Sequence, residues 1–202
     1  MADFRLRVTY KKADRLCMLS HLELCRALER SVRRAGLPYA VSQGFSPHMK
    51  LAFGAALPVG VGGEGEIYDV NLTDYVDPDE ALRMLQKTSA PNLMPYEAHY
   101  ITKEDKAASV AYPVSTYEAL FDGDASQCVI PETVTVIRKK KEKVLQVSDY
   151  LIGEPVFDGP RMTFTLQALP SGSLRPDVFV PAMCPENLHV LNIVRTAQRE
   201  EV

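Results

Sequence analysis

Apolar and polar residues alternate near the start of the chain. Phe4, Leu6, Val8 and Tyr10 share one parity and Arg5, Arg7 and Thr9 the other, which predicts a strand with one buried face. Lys11 to Arg15 reads as a polar connection. The period then changes. Leu22, Cys25, Leu28, Val32 and Ala35 recur at helical spacing and predict an apolar stripe, with Arg26, Arg30, Arg33 and Arg34 together on the opposite face. Ser20-His21-Leu22-Glu23 reads as a capping box, in which the Ser20 hydroxyl accepts a helix-end N–H and Glu23 reaches back to the Ser20 N–H. Gly36 and Pro38 stop the helix.

Tyr39-Ala40-Val41-Ser42 reads as extended. Lys50 to Leu57 and Glu66 to Leu72 read as strands joined through a glycine-rich Val59–Gly65 turn. Asp77-Pro78-Asp79-Glu80 opens a second helix with an Asp cap and proline at its first position. Leu82 and Leu85 give it an apolar side, and it ends before Pro91. Leu93 to Thr102 returns as a strand, with Tyr96, Ala98 and Tyr100 on one face.

Strand, helix, strand, strand, helix, strand is the order of the ferredoxin-like fold. Residues 1–104 are therefore expected to form one such α+β domain, with Lys103-Glu104-Asp105-Lys106 as linker. In 105–202, residues 112–121, 134–138, 143–151, 162–169 and 187–195 read as extended. Only 176–183 reads as helical, and Pro181 opposes it. The expectation is a second, less regular ferredoxin-like half, although no internal repeat is visible by residue identity.

Composition narrows the function classes. A length of 202 residues suits two halves of about 100 residues each. A formal charge of -3 excludes a surface attractive to nucleic acid throughout, so any such binding requires a local basic patch. Cys17, Cys25, Cys128 and Cys184 form no CxxC pair; free thiols are the expected state, with a dispersed metal site as the alternative. No metal and no cofactor are expected. The first residues lack the apolar core of a signal peptide. The uncharged run Leu51–Gly63 is broken by Pro58 and glycines and is too short to span a bilayer. The expected location is cytoplasmic, away from membranes.

Three runs carry a family resemblance: Leu19-Ser20-His21-Leu22-Glu23-Leu24, Arg33-Arg34-Ala35-Gly36-Leu37-Pro38, and Ser42-Gln43-Gly44-Phe45-Ser46-Pro47-His48. Leu57-Pro58-Val59-Gly60 with Glu66 continues it, as do Leu174-Arg175-Pro176-Asp177 and Val194-Arg195-Thr196. Together they resemble the radical-SAM-associated domain of unknown function found in bacteria; Gly62-Gly63 departs from its usual pattern. The resemblance implies association with a radical SAM protein and with RNA or ribosome metabolism, and it implies no activity. The chain has no CxxxCxxC run to hold an iron–sulfur cluster.

The candidate site joins the start of the first helix to the loop from Gln43 to Lys50. His21 and His48 are the candidate acid–base pair. Ser20, Arg26, Arg30, Arg33, Arg34, Gln43, Phe45, Ser46 and Lys50 are the candidate anion- or RNA-binding residues, with Phe45 as a stacking face. Two registers are open. If 39–42 is the second strand, the loop lies at the same end of the sheet as His21; if Lys50–Leu57 is that strand, it lies at the other. Packed roles compete throughout, because His21 falls near the apolar stripe, His48 follows a proline in a turn, and an arginine face is often merely solvated. Lys139-Lys140-Lys141 with Lys143 reads as an exposed hairpin rather than a phosphate contact. The leading expectation is a non-catalytic RNA- or substrate-binding module serving a radical SAM partner. A metal-free acid–base enzyme acting on RNA and a protein assembly factor are the alternatives.

Overall fold

The first strand, β1 (Phe4–Lys12), continues past the alternating segment and takes in two lysines, of which Lys12 is buried. The structure is a computed structural model that describes residues 4–138 and 141–200. The Lys139-Lys140 pair of the lysine run lies outside the described residues.

The chain divides into two compact units. One comprises residues up to Val59 together with Gly63–Tyr112; the other comprises Gly60–Gly62 and the residues from Pro113 on. In the first unit β1 is followed by α1 (His21–Ala35), β2 (Leu51–Phe53), β3 (Val61–Leu72, of which Gly63–Leu72 belong to this unit), α2 (Pro78–Thr88), β4 (Pro95–Ile101) and a single turn α3 (Ala108–Ala111). β1 pairs antiparallel with β3 and with β4, and β2 pairs antiparallel with β3. The order β4-β1-β3-β2 is the ferredoxin-like order.

Helix α1 begins at the expected capping box. The Ser20 backbone N–H donates to Glu23 Oε2 at 2.9 Å, and the Glu23 N–H donates to Ser20 Oγ at 3.4 Å. It ends at Gly36, whose φ of 71° is the left-handed conformation that glycine adopts without a Cβ clash. The buried stripe is Leu24, Leu28, Ser31 and Val32, whereas Leu22 is 60% exposed. Leu22 lies two residues, or about 200°, from Leu24, so an apolar stripe drawn through it misses the true core direction. Leu24, Leu28 and Val32 pack with Leu6, Val8, Tyr68, Val70 and Leu72 of the sheet and with Ala81 and Leu85 of α2.

The opposite face of β1 is not a solvated polar face throughout. Arg7 is buried and donates to both oxygens of Asp69, through Nε at 2.7 Å and Nη2 at 3.0 Å. Its Nη2 also donates to the Lys106 carbonyl at 2.7 Å, and its guanidinium lies 5.8 Å from the Tyr112 ring centroid. The Ala108 N–H donates to Asp69 Oδ2 at 3.0 Å. The charged pair thus fastens the segment after β4 back onto the sheet.

In the second unit the strands are β5 (Val114–Phe121), β6 (Thr133–Arg138), β7 (Lys141–Gln146), β8 (Leu151–Asp158), β9 (Arg161–Leu169), β10 (Gly172–Ser173) and β11 (Val190–Arg199), with α4 (Pro176–Met183) before the last. Antiparallel pairings give β11-β5-β9-β8, with β10 completing the β9 edge. This is the same relative order as in the first unit. The hairpin β6–β7 occupies the crossover where the first unit has a helix. Pro181 lies inside α4, two residues before its end at Met183. No described helix is long and apolar enough to cross a membrane.

Candidate nucleic-acid interface

The second strand of the first unit forms in two pieces. Tyr39 bridges Leu72, and the Ala40 N–H donates to the Asn71 carbonyl at 2.7 Å. Three further contacts then close the gap: Asn71 N–H to the Lys50 carbonyl at 3.1 Å, Lys50 N–H to the Ala40 carbonyl at 2.9 Å, and Leu51 opposite Val70. Residues 39–40 and 51–53 therefore follow one line along β3, and residues 41–49 leave it as an excursion. Neither register considered from sequence describes this arrangement: the loop projects from the middle of an edge strand. It also blunts an edge that would otherwise offer unpaired backbone groups.

The excursion is closed at its root. Val41 bridges Met49, the Ser42 N–H donates to the His48 carbonyl at 2.8 Å, and the His48 N–H donates to Ser42 Oγ at 3.0 Å. Gly44 has a φ of 135°, which an L side chain rarely adopts. Gln43, Phe45, Ser46, His48 and Lys50 are all exposed. Phe45 is 113% exposed, so its whole ring stands in solvent.

Helix α1 meets this edge strand on both sides of the excursion. At one end the Arg33 guanidinium lies 5.8 Å from the Tyr39 ring centroid. At the other, the His21 ring stands edge-on to Phe53 with centroids 5.8 Å apart. Phe53 in turn contacts Tyr68, and Tyr68 contacts Tyr10, so His21 ends an aromatic row that runs into the core. His21 Nε2 is also 3.5 Å from Cys25 Sγ, a contact its i,i+4 spacing allows. Burial pushes the Cys25 thiol up from its ordinary pKa.

His21 and His48 are not joined by a hydrogen bond or ring contact. Their strand roots, Phe53 and Lys50, are three residues apart, about 10 Å along a strand. Ser20 is committed to the cap: its hydroxyl donates to Glu23 Oε2 at 2.7 Å. Hydrogen bonds from the Ser20 hydroxyl and then its backbone N–H lower the Glu23 pKa. A carboxylate therefore already occupies the positive end of α1, and an external anion would compete with it. Arg26, Arg30, Arg33 and Arg34 are all exposed. By helical phase Arg26 and Arg33 lie nearer the edge strand, with Glu29 between them. Arg30 and Arg34 lie nearer α2, whose Thr88 hydroxyl donates to the Ser31 carbonyl at 3.0 Å.

Sequence reasoning missed Tyr39 and Phe53, the two rings that seat α1 on the strand. Nothing in their spacing marks them. Among the described residues no group of three or more His, Cys, Asp or Glu side chains is placed to hold a metal ion. The cysteines are free.

The fold and site define an α+β protein whose ferredoxin-like first unit displays an aromatic loop beside an arginine-bearing helix. A family described as an uncharacterized protein conserved in bacteria (DUF2344) matches residues 5–167, and the chain belongs to it. No curated protein matches the chain.

Proposed function

We propose that the chain is a non-catalytic accessory module that binds RNA and presents it to a radical SAM partner. The single observation that carries this reading is the Phe45 ring, wholly exposed on a loop that α1 flanks at both roots. An exposed aromatic ring offers a base a stacking surface, and neighbouring cations hold the backbone. Lys50 adjoins that loop in the chain, Arg33 lies against Tyr39 at its root, Arg26 shares that flank of α1 by helical phase, and Arg30 and Arg34 extend the charge along α1. Backbone contacts made this way follow a local patch, which the formal charge of -3 requires. The radical SAM partner rests on what the family resemblance carried by the runs at 19–24, 33–38 and 42–48 implies. The acid–base alternative has less support, because His21 is seated against Phe53 and Cys25.

Ultraviolet crosslinking of single-stranded RNA to the chain, with the radical SAM protein present, tests the reading. The expected crosslinks map to residues 41–49, and the ternary complex weakens as salt rises. A complex with the radical SAM protein that is indifferent to salt and yields no RNA crosslink in that loop would overturn it in favour of a protein assembly factor.

A further inference from the structure

A cavity of about 610 Å³ opens in the second unit between the β6–β7 hairpin and the start of α4. That volume falls within the range of about 300–1,000 Å³ typical of small-ligand sites. Its aliphatic lining is Val136 of β6, Leu145 of β7 and Val178 of α4, beside Thr135 and an Ile137 that is 77% exposed. Among the described residues no aromatic side chain lines it, so it offers a base nothing to stack on. Two cations, Lys143 and Arg175, line it beside Ser171 and Ser173, with no carboxylate among the described lining residues.

The cations have capacity to spare. Lys143 Nζ donates to the Ser171 carbonyl at 3.3 Å, and an ammonium carries two further N–H groups. Arg175 Nε donates to Asp177 Oδ1 at 3.0 Å, and Nη2 bonds the same carboxylate. That pairing fixes the guanidinium plane and leaves the Nη1 group. Helix α4 begins here with Arg175 at its N-cap, Pro176 at its first position and no side-chain capping hydrogen bond. Its positive end therefore adds to the two side chains, with Asp177 offsetting part of the field.

We propose that this cavity binds a small amphiphilic anion: an aliphatic body with one terminal carboxylate or phosphate. The Val136, Leu145 and Val178 walls take the chain out of water, while Lys143 and Arg175 hold the headgroup. The site is independent of the RNA surface, and its failure would leave that reading untouched.

Calorimetric titration of the full chain with decanoate, decyl phosphate and decanol tests it. Saturable one-to-one binding of at least one of the two anions is expected, and the tighter anion identifies the headgroup. Decanol should bind at least about tenfold more weakly, as expected for loss of a charged hydrogen bond. Lys143→Gln should weaken anion binding by about tenfold. Val178→Trp, which fills the cavity, should abolish it in a chain whose circular dichroism is unchanged. No saturable binding of either anion, equal binding of decanol, or unaltered binding by folded Lys143→Gln and Val178→Trp chains would overturn the proposal.

Discussion

Asp69→Ala should be among the most destabilising single changes in the first unit. Its carboxylate is fully buried and accepts from Arg7 Nε, Arg7 Nη2 and the Ala108 N–H at 2.7, 3.0 and 3.0 Å. Removing it leaves the Arg7 guanidinium buried without its counter-charge, which costs about 3–5 kcal/mol. The orphaned Ala108 N–H adds about 1 kcal/mol. An overall loss near 5 kcal/mol follows, comparable with the entire stability of many small domains. Arg7→Met with Asp69→Leu removes both charges and should recover at least about 2 kcal/mol of that loss, because no unpaired ion remains. Urea unfolding followed by circular dichroism measures both variants, with an unchanged slope marking a change of stability alone. A single variant within about 1 kcal/mol of the parent would refute the reasoning. So would a double variant as weak as the single.

Other substitutions separate core from surface around α1. Leu28→Ala should cost about 2–5 kcal/mol, whereas exposed Leu22→Ala should change the urea midpoint little. Ser20→Ala should cost about 1 kcal/mol. Since Glu23 has its pKa lowered by Ser20, its contribution is present above the ordinary carboxylate range and is lost as pH falls through the lowered value. Removing Ser20 should therefore flatten the acid side of the stability–pH curve. Gly63→Ala would place a Cβ 2.6 Å from Glu66 Cγ, where a buried carboxylate must move, and should cost about 1–3 kcal/mol. Gly65→Ala, with Tyr96 Oη at 3.5 Å, should be better tolerated in the same urea unfolding assay.

Local chemistry made much of this molecule legible in its sequence. The Ser20–Glu23 box, the Gly36 stop and the Asp77-Pro78 start each place a helix end through bonds within a few residues, and each forms as read. The order of strands and helices in the first unit follows from the same signals. What the sequence hid depends on distant partners. Arg7 looks like a solvent-facing residue until Asp69 is opposite it across the β1–β3 ladder. The Lys50–Leu57 segment shortens to Leu51–Phe53 as a regular ladder on β3, with single backbone bonds from Lys50 and Gly54 at its two ends. Val61–Leu72 takes Gly62, Gly63 and Gly65 into a strand, and of these Gly63 pairs with Lys12 of β1 across a register shift. The excursion at 41–49 was hidden for the same reason, being defined by Ala40, Lys50 and Asn71 meeting through backbone bonds. Residue type alone flagged Phe45 and the four arginines; their division between two flanks of α1 needed the Tyr39 and Thr88 contacts.

The salt dependence of single-stranded RNA binding, compared across variants by fluorescence anisotropy, addresses the functional claim most directly. Phe45→Ala should weaken binding about tenfold at every salt concentration, the loss of about 1.4 kcal/mol of stacking, with the slope of log K against log salt unchanged. Arg26→Gln with Arg33→Gln should instead reduce that slope by about 1.4, corresponding to two phosphate contacts at about 0.7 each. Parent-like affinity and slope in both variants would contradict the account.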